Sequence, residues 1–481
     1  MTANVEWDGS YFVAGERRRA GREVDVKCPY DGAVVGRGRV ATDDDVEAAA
    51  AAAASFFANG EAPPLYERVA ILRRFAALVQ ANAEGLARTL ALEAGKNIKE
   101  ARAEVSRSAF TAETAAAEAT RVDGEVIPLE AHPAAEGRFG VVRRFVRGPV
   151  LAITPFNFPS NLVMHKLAPA MAVGAPIVVK PASATPFSAL KLAALAFEAG
   201  LPPRQLSVLP LPGARAERLV SDERFAVLTF TGSQEVGWGL KARAGRKVVC
   251  LELGGNAAVL VHADADLGYA RKRVVAGAFG VAGQSCISVQ RVYVHRPVYD
   301  AFVAGVVAAA AALKVGPPLD ESADLGSMID EAAAARLEAW VAAAAARGAR
   351  VLCGGRREGA RFQATVITDC PADVDLVAAE AFGPVVVVAP YDAFEDGVKM
   401  ADDSRYGLQA GVFTRDWARI RWAWEHIRAG AVVANDVPTF RVDHMPYGGA
   451  KESGLGREGP RWAMEEYTEP RLLVVSDLEL Q

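Results

Sequence analysis

The stretch GPVLAITPFNFPSNLVMHKLAPAMAVGAPIVVK, residues 148–180, decides the architecture. Two apolar runs, 148–154 and 175–180, flank a helical segment at 159–173 that ends near Gly174. Runs of this kind are strands buried on both faces. The rhythm continues with a helix at 185–199 and further strands at 206–211, 226–230 and 247–252. Apolar strands alternating with helices predict a parallel sheet covered on both sides, and such sheets take ligands beyond the carboxyl ends of their strands. Asn157, Lys180, Ser183, Ser233 and Glu252 fall at those ends.

Toward the N-terminus, Thr42 and three aspartates precede the Ala-rich run 46–58, which therefore reads as a capped helix. Helical periodicity follows at 65–92 and 98–120. Residues 124–147 read as two strands around a polar loop, with apolar edges that call for a partner. A second α/β rhythm starts after 253, with strands near 257–261, 291–295, 349–353, 384–389, 408–414 and 431–435. It marks a second domain, and no internal repeat is evident.

Cys286 lies in GQSCISVQR (283–291) and Glu252 in CLELGGN (250–256). Gly283, Gln284, Ser285 and Ser288 leave room beside the thiol, whereas a structural cysteine sits more often among Val, Leu and Ile. A nucleophilic thiol and a carboxylate that activates water suit covalent attack on a carbonyl. The two residues come from different domains, which places the site between them.

Composition narrows the alternatives. The 481 residues are 51% hydrophobic and 23% charged, with a net charge of −4, as expected of an ordered chain of two or three domains. The RRR at 17–19 is an isolated triplet that reads as a solvated turn, so no nucleic-acid surface is expected. Five widely spaced cysteines without CxxC, and six scattered histidines without HxxxH, argue against a disulfide framework and a metal site. No signal peptide and no run of 18 apolar residues is visible, so a cytoplasmic protein without membrane attachment is expected.

Seven ordered blocks carry a resemblance to the NAD(P)-dependent aldehyde dehydrogenase superfamily: TPFNFPSN (154–161), VVKPASATP (178–186), FTGS (230–233), LELGGN (251–256), GQSCISVQR (283–291), EAFGPV (380–385) and MPYGGAKESGLGREG (445–459). The resemblance implies an α/β fold in three parts: a Rossmann-like cofactor domain at 1–123 and 146–253, a catalytic domain at 254–465, and an oligomerisation sheet at 124–145 and 466–481. It implies a homodimer or homotetramer acting on a small aldehyde. Cys286 would be the nucleophile, Asn157 and the Cys286 N–H the oxyanion hole, and Glu252 the base that activates water. Lys166 and Glu458 would pass the proton outward. In the cofactor cleft, Lys180 would hold the adenosine ribose, Glu380 the nicotinamide ribose, and Phe382 would back the nicotinamide. Ser233 and Trp238 would line the pyrophosphate and adenine side. Thr154, Pro155, Phe156, Gly213, Phe230, Gly232, Leu253 and Gly254 belong to the same cleft.

Two departures concern the cofactor. Ala216 stands where many relatives have a second glycine in the phosphate turn, and Ser183 where NAD-preferring relatives often carry a glutamate. Serine cannot repel a 2′-phosphate, so NADP is expected to be accepted as well as NAD. The regions matching the family's substrate tunnel offer Arg107, His165, Ser285, Ile287, Phe440 and Arg441, which suggests an aldehyde with an anionic tail; the alternative is that the arginines pair with acidic neighbours. A coenzyme A-acylating relative would generally lack a glutamate at 252, and a non-catalytic protein on this fold would have lost Cys286, Glu252 or Asn157.

Overall fold

The computed structural model describes residues 4–122 and 124–476. Its first sheet has eight strands, in the order Glu16–Arg18, Tyr11–Val13, Leu206–Val208, Ile177–Lys180, Val150–Ile153, Val227–Thr231, Val248–Glu252 and Gly454–Leu455. The five from Leu206–Val208 to Val248–Glu252 run parallel and are almost wholly buried between helices, which is why their sequences are continuous apolar runs. The second sheet has seven strands: Arg350–Cys353, Thr365–Thr368, Val385–Tyr391, Val289–His295, Ala257–Val261, Gln409–Phe413 and Ala431–Ala434. All its pairings are parallel except that of the edge strand Arg350–Cys353. The fold is the α/β arrangement expected.

Several local readings change. The helical stretch 65–92 is two helices, Leu65–Ala81 and Ala83–Ala94, because the backbone at Asn82 turns out of the helical region. The strand expected at 206–211 ends at Val208. The chain also returns to the first sheet near its end. Gly454–Leu455 pairs with Leu251 and Glu252, and helix Pro460–Tyr467 adds Ala463, Met464 and Tyr467 to the first core. Residues 454–467 thus join two blocks that look remote in sequence. The N-cap expected at Thr42 is present and is part of a capping box: its hydroxyl accepts from Asp45 N, and the Asp45 carboxylate from Thr42 N.

A three-stranded antiparallel sheet joins Glu125–Ile127, Arg138–Val146 and Thr468–Ser476. Leu472, Leu473, Val474 and Val475 on its last strand are exposed. Among the described residues no helix is long and apolar enough to cross a membrane, and no cluster of His, Cys, Asp and Glu is arranged to hold a metal.

Helix Pro186–Glu198, which follows the Lys180 strand, has no N-cap side chain of its own. Glu93 replaces it: its carboxylate accepts from Phe187 N at 2.8 Å and Ser188 N at 2.9 Å, wholly buried. Burial raises its carboxyl to about 7, against the lowering effect of those bonds. Glu93→Ala would leave two buried N–H groups unpaired, and is expected to cost about 2–4 kcal/mol in denaturant unfolding; an unchanged midpoint would refute the capping role.

Candidate active site

One cavity of about 410 Å³ opens between the two large sheets. Asn157, Glu252, Cys286 and Glu458 line it, together with Glu380, Phe382, Arg107 and Arg441. Glu252 ends strand Val248–Glu252, and Cys286 precedes strand Val289–His295. The carboxyl end of one sheet therefore faces the amino end of the other.

The nucleophile candidate follows a tight turn in which Val281, Ala282 and Gly283 all have positive φ. Val281 N donates to the buried Glu100 carboxylate at 2.7 Å, which holds that turn. Burial pushes the Cys286 thiol up to about 12, partly offset by its contact with Tyr447 and by the charge of Arg441. The Tyr447 hydroxyl lies 3.0 Å from Sγ. Asn157 donates its side-chain amide to Gln284 O at 3.0 Å, immediately before the Ser285–Cys286 peptide. The Asn157 carbonyl in turn accepts from Lys96 at 2.7 Å. Lys96 is paired with Glu104, whose other oxygen accepts from Ser160 N and Asn161 N. This buried pair fixes the loop that aims Asn157.

Two carboxylates meet at the cavity wall with opposite tendencies. Burial raises the carboxyl of Glu252 well above the usual range, and the charge of Glu458 adds to that. Glu458 is also buried, but the charges of Lys166, His165 and Arg441 outweigh the burial and hold its carboxyl low. Its Oε1 accepts from Lys166 at 3.2 Å and its Oε2 from Arg441 at 2.9 Å. Lys166 also donates to Thr229 and Thr231, which satisfies all three ammonium hydrogens.

Four of the expected substrate residues line the cavity: Arg107, Ser285, Ile287 and Arg441. Two lie elsewhere. His165 is completely buried behind the wall, at 2.8 Å from Asp443 and 3.1 Å from Arg441. Phe440 is 44% exposed, and its neighbour Thr439 takes the lining position. Arg107 makes a bidentate pair with Asp443, so the acidic-neighbour alternative applies to it although it still faces the cavity. Tyr447, Asp443, Lys96, Glu104 and Glu100 were not anticipated; none stands in a spacing that marks it.

Beyond the nucleophile, the carboxyl ends of the first sheet form a cleft. Lys180 is buried with no acceptor among the described residues, and burial lowers its ammonium pKa. Thr154 Oγ1 is likewise buried without a partner. Glu380 accepts from Gly255 N at 2.9 Å, and burial raises its carboxyl to about 7. Gly254 lies against it, and a Cβ there, 2.2 Å from Oε2, would push the Glu380 carboxylate from its place. Pro155 lines this side too, and the rings of Phe156 and Phe382 meet edge to face at 6.0 Å. Gly232 and Ser233 reach the cavity, while Phe230 packs beneath Gly232 and Leu253 against Gly237. Gly213 opens helix Gly213–Ser221 with free space around it, and Ala216 is buried on its inner side. Trp238 donates to Glu452 O at 3.3 Å, and exposed Ser183 donates to Leu211 O at 3.2 Å. A free ammonium, an orphan hydroxyl and a glycine-floored helix start fit a nicotinamide dinucleotide.

Comparison with known proteins agrees. Residues 16–473 match the model of the aldehyde dehydrogenase family. The chain is 44% identical over 466 residues to 3-sulfolactaldehyde dehydrogenase of Priestia aryabhattai, covering 97% of each chain. It is 38% identical to the NADP-dependent succinate-semialdehyde dehydrogenase of Escherichia coli, covering 95% of each. Aldehyde dehydrogenase 21 of Physcomitrella patens, solved with the product succinate, superposes with a TM-score of 0.96 at 43% identity, over 98% of this chain and 99% of that one. The chain belongs to the aldehyde dehydrogenase family and is an NAD(P)-dependent oxidoreductase acting on an aldehyde.

Proposed function

We propose that this enzyme oxidises a small aldehyde with a singly charged anionic tail to the acid, through a thioester on Cys286. The observation that carries the reading is that Cys286, Asn157 and Glu252 share one cavity with Arg107 and Arg441. Sγ attacks the carbonyl carbon, and the oxygen takes the negative charge beside the Asn157 amide and the Cys286 N–H. Lys180, Glu380 and Phe382 would hold a nicotinamide dinucleotide, which would supply the acceptor for the hydride that leaves the thiohemiacetal carbon as the thioester forms. Ionised Glu252 then removes a proton from water, which attacks the thioester and releases the acid. Glu458, held ionised, receives protons from this side of the cavity and passes them outward past Lys166.

Charge sets the tail. Arg107 and Arg441 turn guanidinium groups to the cavity, each paired with one carboxylate, that of Asp443 and that of Glu458. An incoming carboxylate or sulfonate meets these two guanidinium groups at the cavity wall. The relatives named for 3-sulfolactaldehyde and succinate semialdehyde support this choice. The exposed strand Thr468–Ser476 supports a homodimer or homotetramer, and five unpaired cysteines support a reducing, cytoplasmic setting.

Four outcomes are expected. Cys286→Ala abolishes formation of reduced cofactor, whereas Glu252→Gln gives one turnover and then accumulates acyl-enzyme, seen as added mass on Cys286; steady turnover by either variant would remove the assigned roles. Both groups react deprotonated and burial raises both, so kcat/KM climbs with pH through the neutral and alkaline range and falls as the medium turns acid; a rate that is flat there contradicts the assignment. Arg107→Gln raises KM for succinate semialdehyde about ten- to a hundredfold, the value of one or two charge-assisted hydrogen bonds, and leaves a neutral aldehyde nearly unchanged. Ser183→Glu lowers kcat/KM for NADP relative to NAD by about tenfold or more, roughly 1.4 kcal/mol; equal effects on both cofactors would discard the 2′-phosphate reading.

A further inference from the structure

Tyr447 is buried, 3% exposed, and its hydroxyl meets the Cys286 sulfur at 3.0 Å. Its place is fixed by the backbone. Tyr447 N donates to Glu458 O at 3.0 Å and Glu458 N donates to Tyr447 O at 2.6 Å. The ring packs with Ile287 and Leu408 in a small apolar cluster that Cys286 completes. The Arg441 guanidinium lies over the ring, 3.7 Å from its centroid, and is itself anchored on Glu458. The next residue, Gly448, has φ +156°, and a Cβ there would come within 3.0 Å of Glu252 Oε1. Tyr447–Gly448 is therefore wedged between the nucleophile and the base.

Of the two groups that meet here, the phenol is the one that keeps its proton. A cation over an aromatic face draws electron density from the ring, which makes the hydroxyl a stronger donor. Burial, together with the negative charge that Cys286 acquires, raises the Tyr447 hydroxyl further from ionisation, so it does not act as the base. The sulfur, a weak acceptor as a thiol, becomes a strong one as a thiolate.

We propose that Tyr447 is a catalytic residue whose hydroxyl donates a hydrogen bond to the Cys286 sulfur as it becomes a thiolate, stabilising that anion and holding it toward the cavity. This rests on the reading of Cys286 as the nucleophile. The thiol proton passes to ionised Glu252 directly or through water. The sulfur lone pair forms the bond to the carbonyl carbon, and the carbonyl π pair moves onto oxygen beside Asn157. Tyr447 keeps its proton throughout, and its bond to sulfur weakens as the C–S bond forms.

The test is the rate of Cys286 alkylation by iodoacetamide across pH, with the modified residue identified by mass spectrometry, in wild type and Tyr447→Phe. The phenylalanine variant keeps the ring and its packing and is expected to retain the wild-type unfolding midpoint. Its alkylation profile moves up by about one pH unit, a tenfold slower rate at a fixed pH below the transition. The kcat for aldehyde oxidation falls, with little change in the KM of either substrate. Site-specific fluorotyrosine at 447, a stronger donor of the same shape, moves the profile to lower pH and covers the case in which Y447F unfolds. Coincident profiles for all three proteins would overturn the proposal while leaving Cys286 the nucleophile. A fully active Cys286→Ala enzyme would instead overturn the reading beneath it.

Discussion

Glu458 is the charge on which the site depends. It is a buried carboxylate held ionised by Lys166 from the helix Asn161–Val173 and by Arg441 from the loop beyond strand Ala431–Ala434. Its backbone fixes Tyr447, and its charge adds to the burial that raises the Glu252 carboxyl. Breaking one partner of a buried pair typically costs about 3–5 kcal/mol, because the remaining charge is stranded. The cost of desolvating Glu458 is met by fixing four groups at once: two cations, an aromatic ring and the acidity of a second carboxylate. The two glutamates show one side-chain type pushed in opposite directions by its surroundings.

Much of this was readable from the chain because the site is built on secondary structure that announces itself. The parallel strands Val150–Ile153, Ile177–Lys180 and Val248–Glu252 are largely apolar runs of four or five residues, and Asn157, Lys180 and Glu252 lie at or just beyond their carboxyl ends. What escaped was whatever lacks period or packing. Strands Glu16–Arg18 and Glu23–Lys27 are charged and mostly exposed, so no apolar run marks them. Asn82 divides two helices without a proline or glycine to mark it.

The substrate side shows the same limit at finer grain. His165 sits on the correct helix but on the face turned to Asp443, and the sequence offers no face to choose when all thirteen residues of that helix are apolar or buried. Phe440 and Thr439 are neighbours in an irregular loop, where alternation gives no guide to direction. Asp443, Lys96 and Glu104 act through partners at great sequence distance, up to 336 residues in the case of Arg107 and Asp443. Tyr447 was inside a recognised block, yet its approach to sulfur depends on two backbone bonds that exist only in the fold.

The surroundings of the half-buried Cys286 bear on how it withstands oxidants. Thiolates, and hardly thiols, react with peroxides and disulfides. A sulfur whose resting state is held as the thiol by its surroundings exposes little of the vulnerable form between turnovers. The same packing that slows the free thiol thus preserves the enzyme while it waits.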